Sequence, residues 1–193
     1  MPPGSLIVIS GPSGAGKGTL VANLRNRVPD LFLSTSMTTR SPRPDEVPGV
    51  SYRFVSREEF EEVRRRGGFL EWASVHDNFY GTPADAVKEQ LEKGNDVILE
   101  IDVKGALQVK KKMPEAHLVF IQAPTFEDLH DRLSKRSTED ERTVARRILV
   151  ARHEVLLAPK YDFVIVNDDI ARATRELVGI VKDIRRTRRR EQM

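Results

Sequence analysis

The chain has 193 residues, 39% of them hydrophobic, and its 32 lysines and arginines exceed 29 acids by a formal charge of +3. That length suits one domain of roughly 150 residues with small insertions, and the apolar content excludes a disordered tail. No apolar run nears the ~20 residues of a spanning helix, and the absence of cysteine excludes a disulfide scaffold, a thiolate metal site and a cysteine nucleophile.

In chain order, Met1 to Ser5 has no basic segment and Leu6 to Ile9 is too short for a secretory signal, so a cytoplasmic protein without membrane association is expected. Leu6-Ile7-Val8-Ile9 reads as a buried strand, followed at once by glycines. Leu20, Val21, Leu24 and Val28 then recur at helical spacing until Pro29. From 34 to 81 the chain turns to Thr, Arg, Pro and aromatics, with strand-like pieces near Ser51 to Val55 and Phe69 to Val75, and reads as an insertion with its own small sheet. Ser56-x-x-Glu59 marks a helix entry within it.

Thr82-Pro83 predicts a capped helix start, with Gly94 as its stop. Buried strands follow at Val97 to Leu99, His117 to Ile121 and Phe163 to Val166, separated by helical stretches. Thr125-x-x-Asp128 and Thr138-x-x-Glu141 carry the capping pattern. Residues 132–152 are mostly charged and helical, which predicts an exposed flap. The last helix lines up Ile170, Ala173, Leu177, Ile180, Val181 and Ile184 on one face. Residues 185–193 hold five arginines and one glutamate, leaving residues 1–184 at net −1. The run predicts a solvated, frayed helix end rather than a nucleic-acid surface.

Strands alternating with helices give an α/β class, a parallel sheet covered on both faces. The strongest chemical signal lies between the first strand and the first helix: Gly11-Pro12-Ser13-Gly14-Ala15-Gly16-Lys17-Gly18-Thr19. The spacing G-x-x-x-x-G-K is that of a phosphate-binding loop. Its glycines let backbone N–H groups curl around a polyphosphate, the helix start adds partial positive charge, and Lys17 reaches the terminal phosphates. Gly18 stands where Ser or Thr is usual, with Thr19 one residue on. The guanine motif Asn-Lys-x-Asp of GTPases is absent from the sequence.

Within the insertion, Thr38-Thr39-Arg40-Ser41-Pro42-Arg43-Pro44 places two guanidinium groups in a proline-stiffened loop suited to a phosphate. Tyr52, Glu71-Trp72-Ala73 and Asn78-Phe79-Tyr80-Gly81-Thr82 follow. Taken singly, each has an ordinary explanation as a solvated loop charge, a core-edge aromatic or a strand acid.

Together with Leu99-Glu100-Ile101-Asp102, Gly105, Arg136-Ser137-Thr138-Glu139 and Val166-Asn167-Asp168, these motifs resemble the guanylate kinase family from Leu6 to about Ile184. The resemblance implies a parallel phosphate-loop core (1–33, 82–131, 153–193), a small mixed α/β GMP-binding insertion (34–81) and a helical lid (132–152). It implies transfer of the γ-phosphoryl group of ATP to GMP, with Mg2+. Arg40, Arg43, Tyr52 and Tyr80 would bind the GMP phosphate, and Ser36, Glu71, Thr82 and Asp102 the base. Lys17, Arg136 and Arg147 would be catalytic, with Arg132 assisting. Asn167 and Asp168 would lie at the adenine, and Thr19 and Glu100 at the metal. Glu100 replaces the Asp frequent in the family.

The base assignment also follows from chemistry. Guanine presents adjacent donors, N1–H and the 2-amino group, which one carboxylate accepts in a fork, while Ser36 and Thr82 hydroxyls donate to O6. Adenine has a lone pair at N1 that would leave Glu71 unpaired, a mismatch costing roughly several kcal/mol. The alternative is a catalytically inactive guanylate-kinase-like module that binds phosphopeptides through the same arginines and tyrosines. Small-molecule partners are expected, no nucleic acid, and a homo-oligomer is left open.

Overall fold

The computed structural model describes residues 3–75, 77–136 and 141–190. The first β-strand, β1 (Leu6–Ser10), leads into α1 (Lys17–Arg27) and the short β2 (Leu31–Leu33). After the inserted segment, α3 (Ala84–Glu92), β7 (Asp96–Glu100), α4 (Val103–Lys112) and β8 (His117–Gln122) continue the core. Helices α5 (Phe126–Arg136) and α6 (Glu141–Val155), a 3-10 turn (Ala158–Lys160), β9 (Phe163–Val166) and α7 (Ile170–Arg190) complete it. The inserted segment holds β3 (Met37–Thr38), β4 (Arg53–Phe54), α2 (Arg57–Arg65), β5 (Phe69–Val75) and β6 (Asn78–Pro83).

β1 lies at the middle of a five-stranded sheet ordered β2-β7-β1-β8-β9, and every ladder in it is parallel. Period-2 alternation divides its side chains between two layers. Leu6, Val8, Val97, Leu99, Leu118 and Phe120 pack with Val87 and Leu91 of α3 and Val103, Ala106 and Val109 of α4. Ile7, Ile9, Ile98, Val119, Ile121 and Ile165 face the other way, onto Leu20 and Leu24 of α1 and Ala173, Leu177 and Val181 of α7. Fully burying such a side chain contributes about 1.5–3 kcal/mol, so the two layers set the frame that holds the loops at the strands' carboxyl ends.

The second sheet is ordered β4-β3-β6-β5. β5 and β6 form an antiparallel hairpin, with a separate core of Met37, Phe60, Val63, Phe69 and Phe79. β6 was not foreseen, and its presence overturns the helix cap at Thr82-Pro83. α3 begins at Ala84 with Pro83 as its N-cap and no side-chain cap, because the Thr82 hydroxyl is turned to Glu71. The caps at Ser56 and Thr125 are present, with Glu59 N donating to Ser56 Oγ at 3.1 Å and Asp128 N to Thr125 Oγ1 at 3.0 Å. The Thr138 cap lies outside the described residues. Residues 132–152 hold more apolar packing than their charge suggested: Leu133 of α5 and Ala151 of α6 close on each other and on Leu129, with Ile148 against them. Ile170, by contrast, is exposed.

The terminal arginines depart most from expectation. α7 runs to Arg190, and two of them are not solvated. Arg185 Nε and Arg188 Nη1 both bond the carboxylate of Asp96, which is 2% exposed, the second at 2.5 Å. Ser5 N donates to the same carboxylate at 2.8 Å, and Arg185 Nη2 reaches Pro29 O at 2.8 Å. Residues three apart share a helix face, and a buried carboxylate is tolerated only when paired. Arg186, Arg189 and Arg190 remain exposed. No helix among the described residues is long and apolar enough to cross a membrane.

Candidate active site

The carboxyl ends of β1, β7 and β9, the hairpin β5–β6 and the loops beside β3 and β4 carry most of the side chains singled out by the sequence. In open parallel sheets ligands gather at that end. A cavity of about 400 Å3 opens at the opposite end, lined by Leu6, Leu91, Met113, Ile184 and Arg188 among others, and it contains none of them.

The loop after β1 turns through positive φ at Gly11, Gly14 and Gly16 (139°, 86° and 91°), a conformation that glycine adopts without strain. A Cβ on Gly11 would fall 2.0 Å from Ile121 O, and one on Gly16 2.3 Å from Asn167 Nδ2. The loop therefore lies tight against β8 and Asn167. Lys17, the first residue of α1, folds its side chain back over the loop and donates to Gly11 O at 2.6 Å and Pro12 O at 3.0 Å. Ser13 Oγ accepts from Arg147 Nη2 of α6 at 2.6 Å. The helix pair thus already touches the loop.

Asn167 donates from Nδ2 to Ala15 O at 2.8 Å, while its Oδ1 is buried without a partner. Arg132 Nη2 donates to Asn167 O at 2.8 Å. This acceptor is sealed from solvent, so an amino group would reach it only through a shift of Asn167 or of the loop. Asp168, in contrast, is exposed and accepts from Arg172 Nε at 2.8 Å. That bond and the N–H of Asp169 hold its carboxyl below the usual range.

Glu100 ends β7 with its carboxylate facing Gly18: a Cβ at 18 would lie 3.5 Å from Oε1 and 3.8 Å from Oε2. The missing side chain leaves room for about a methyl group between α1 and an acid, and no cluster of three or more metal-ligating side chains is found among the described residues, so a hard cation here would take most of its oxygen ligands from water and phosphate. Desolvation by the surrounding walls raises the Glu100 carboxyl, against the opposing pull of Lys17, although its side chain still reaches solvent. Thr19 is exposed on the first turn of α1.

Glu71, Thr82 and Ser36 converge between the two sheets. Glu71 is 5% exposed. Thr82 Oγ1 donates to its Oε1 at 2.6 Å, and the Ser36 and Thr82 hydroxyls stand 3.5 Å apart. Burial pushes the Glu71 carboxyl up to about 7; Thr82 opposes the rise and Asp102 adds to it. Asp102 also caps α4, Oδ1 accepting from Gly105 N at 2.7 Å.

Arg40 lies on the neighbouring loop. Its Nη1 and Nη2 form a fork on Glu46 at 3.0 and 2.7 Å, and its Nε donates to Tyr80 OH at 3.2 Å. Glu46 also accepts from Arg43 N at 2.8 Å. The ion pair raises the Arg40 guanidinium pKa and lowers the Glu46 carboxyl. Tyr52 and Tyr80 meet edge to face at 5.9 Å, and Arg40 sits 5.6 Å from the Tyr52 ring centroid. The Arg43 side chain is exposed. Glu46 was missed by sequence reasoning, and an acid six residues beyond Arg40 was the available sign. The guanidinium of Arg136 lies outside the described residues.

The profile of the guanylate kinase family matches residues 4–184. The guanylate kinase of Caldanaerobacter subterraneus subsp. tengcongensis is 49% identical over 178 residues, covering 92% of this chain and 86% of that one. That of Rubrobacter xylanophilus is 50% identical over 181 residues, with 94% and 95% covered. The crystal structure of guanylate kinase from Anaplasma phagocytophilum superposes with a TM-score of 0.76 at 31% identity, covering 94% of this chain and 86% of that chain.

Proposed function

Because the chain belongs to the guanylate kinase family and is a nucleoside monophosphate kinase, we propose that it transfers the γ-phosphoryl group of ATP to GMP or dGMP, yielding ADP and GDP or dGDP. The observation that carries this reading is the buried Glu71 carboxylate bonded to Thr82 at 2.6 Å, in a chain that also holds a phosphate-binding loop.

The triphosphate would lie on Gly11 to Thr19. Its arrival draws Lys17 from the Gly11 and Pro12 carbonyls onto the β and γ oxygens, an exchange of neutral acceptors for anionic ones. Asn167 would line the adenine side of the loop, its Oδ1 reaching the amino group only if the residue shifts from its sealed position, and Asp168, through its pairing with Arg172, would shape that wall. Glu100, with Thr19 close by on α1, would hold Mg2+, which neutralises charge on the β and γ oxygens when bound.

GMP would sit with its phosphate at Arg40, Arg43, Tyr52 and Tyr80. Because Glu46 takes the Nη1–Nη2 fork, the Nε–Nη2 edge of Arg40 is the one turned to Tyr80 and the phosphate. Glu71 accepts from N1–H and the 2-amino group and Ser36 donates to O6, while Thr82, whose single hydroxyl hydrogen goes to Glu71, would donate to O6 only on leaving that carboxylate, and Asp102 flanks them. Arg147, already at Ser13, and Arg136 would stabilise charge on the moving phosphoryl group, with Arg132 bracing the adenine wall. No catalytic base is required, since the attacking GMP phosphate is an anion.

The division of labour is three-part, with the acceptor mainly on 34–81 and completed by Thr82 and Asp102, the donor on the parallel core and the closing arginines on 132–152. A coupled assay with ATP and each of GMP, AMP, CMP and UMP tests the reading. Turnover restricted to GMP is expected, and comparable rates with AMP would overturn it.

A further inference from the structure

β5 is the outer strand of the second sheet, so alternate N–H and C=O groups along it face away from β6 and need other partners. At Trp72 that partner is a single side chain. Gln108 of α4 accepts from Trp72 N at 3.3 Å through Oε1 and donates to Trp72 O at 3.1 Å through Nε2, the two-point pairing that a further strand would make. One turn onward, Lys112 Nζ donates to Phe69 O at 2.7 Å. One turn back, Gly105 lies so close to Glu71 that a Cβ there would come 2.8 Å from Oε2. Residues 105, 108 and 112 share one helix face, and their contacts bracket residue 71.

Bracketing matters because the β5–β6 register shifts between Phe69 and Glu71. An irregular ladder specifies weakly which side chain faces Thr82, and a slip by one residue would present Leu70 or Trp72 in place of the carboxylate. We infer that Gln108 is a positioning residue for Glu71 and, through it, a determinant of guanine specificity. The inference rests on the GMP reading above and extends it: Gln108 acts on the backbone of Trp72, and α4 sets where the carboxylate stands. Asp102, which caps that same helix, follows Glu100 by two residues, so one rigid element ties the base-reading acid to the end of the core sheet.

Gln108→Met keeps the length and apolar body of the side chain and removes both hydrogen bonds. KM and kcat are measured for GMP and for IMP, which lacks the 2-amino group, together with KM for ATP and Tm. The KM for GMP is expected to rise about fivefold to tenfold, the preference for GMP over IMP to fall by a similar factor, and the KM for ATP to stay within about twofold. An unchanged GMP-to-IMP preference, whether constants hold steady or all decline together with Tm, overturns the inference. If Gln108→Met does not fold, Gln108→Ala, which removes both hydrogen bonds without adding bulk or charge, is assessed by the same criteria. A wild-type protein that fails to phosphorylate GMP overturns the parent reading instead, before any variant is compared.

Discussion

Thr82 donates its hydroxyl hydrogen to Glu71 across the β5–β6 ladder at 2.6 Å, and that bond only partly offsets the burial that lifts the Glu71 carboxyl to about 7. The carboxyl is therefore half protonated near neutrality, although guanine needs it as an acceptor.

GMP binding accordingly strengthens as pH rises from 6 to 8. Below about 7 the nucleotide must expel a proton from Glu71, which weakens binding about tenfold per pH unit, and above it the effect levels off. Folding stability runs the opposite way. Between the ordinary carboxylate value of 4.5 and about 7 the unfolded chain has released a proton that the native state keeps, so stability falls by about 3 kcal/mol across that window. Michaelis constants for GMP and ATP across pH 6 to 8 check this, with the ATP value flat. In Glu71→Gln the KM for GMP rises and the dependence due to this carboxyl disappears; wild-type behaviour in that variant would refute the assignment.

Arg136→Ala should lower kcat by roughly a thousandfold or more while leaving ATP affinity, measured by titration with a non-hydrolysable analogue, nearly unchanged. Near-normal turnover would remove Arg136 from the mechanism.

Glu46→Gln keeps the size of the side chain and removes the charge that holds Arg40 and the Arg43 N–H. A several-fold rise in KM for GMP at constant KM for ATP is expected, since Arg40 loses its fixed orientation. A lower KM would mean that Glu46 competes with the phosphate instead of aiming its partner.

Arg188→Ala should destabilise the fold by about 1.5–3 kcal/mol, because Asp96 loses one charged hydrogen-bond partner but keeps Arg185 and the Ser5 N–H. At ~2–4 °C per kcal/mol for a chain of this size, thermal unfolding would shift by roughly 6 °C. Activity below the transition should persist, as Asp96 lies at the far end of β7 from Glu100. A Tm change under about 2 °C would show that water substitutes for the arginine.

The loop and core strands were legible because their signals are local: an unbroken apolar run followed by glycines permits few structures. Thr82 was misread because Thr-Pro marks a helix start as well as it marks a strand end, and a carboxylate eleven residues away decides between them. β2 escaped notice because its three residues are only half-buried. The pairing of Asp96 with Arg185 and Arg188 spans 89 and 92 positions, beyond any local periodicity, so a composition argument read the arginines as solvent-facing. The residues named for the two substrates were found through the resemblance of combined motifs, since none is distinctive alone.

Asp96 opens β7, the strand between β1 and β2, yet its two cationic partners are synthesised about ninety residues later. Until α7 docks, the growing chain holds a carboxylate whose remaining hydrogen-bond partner among the described residues is the Ser5 N–H. Closing the sheet before then would seal in an uncompensated charge. Docking of α7 is thus coupled to completion of the core, and a chain cut before Arg185 would leave the Asp96 carboxylate at the base of the sheet without its two arginines.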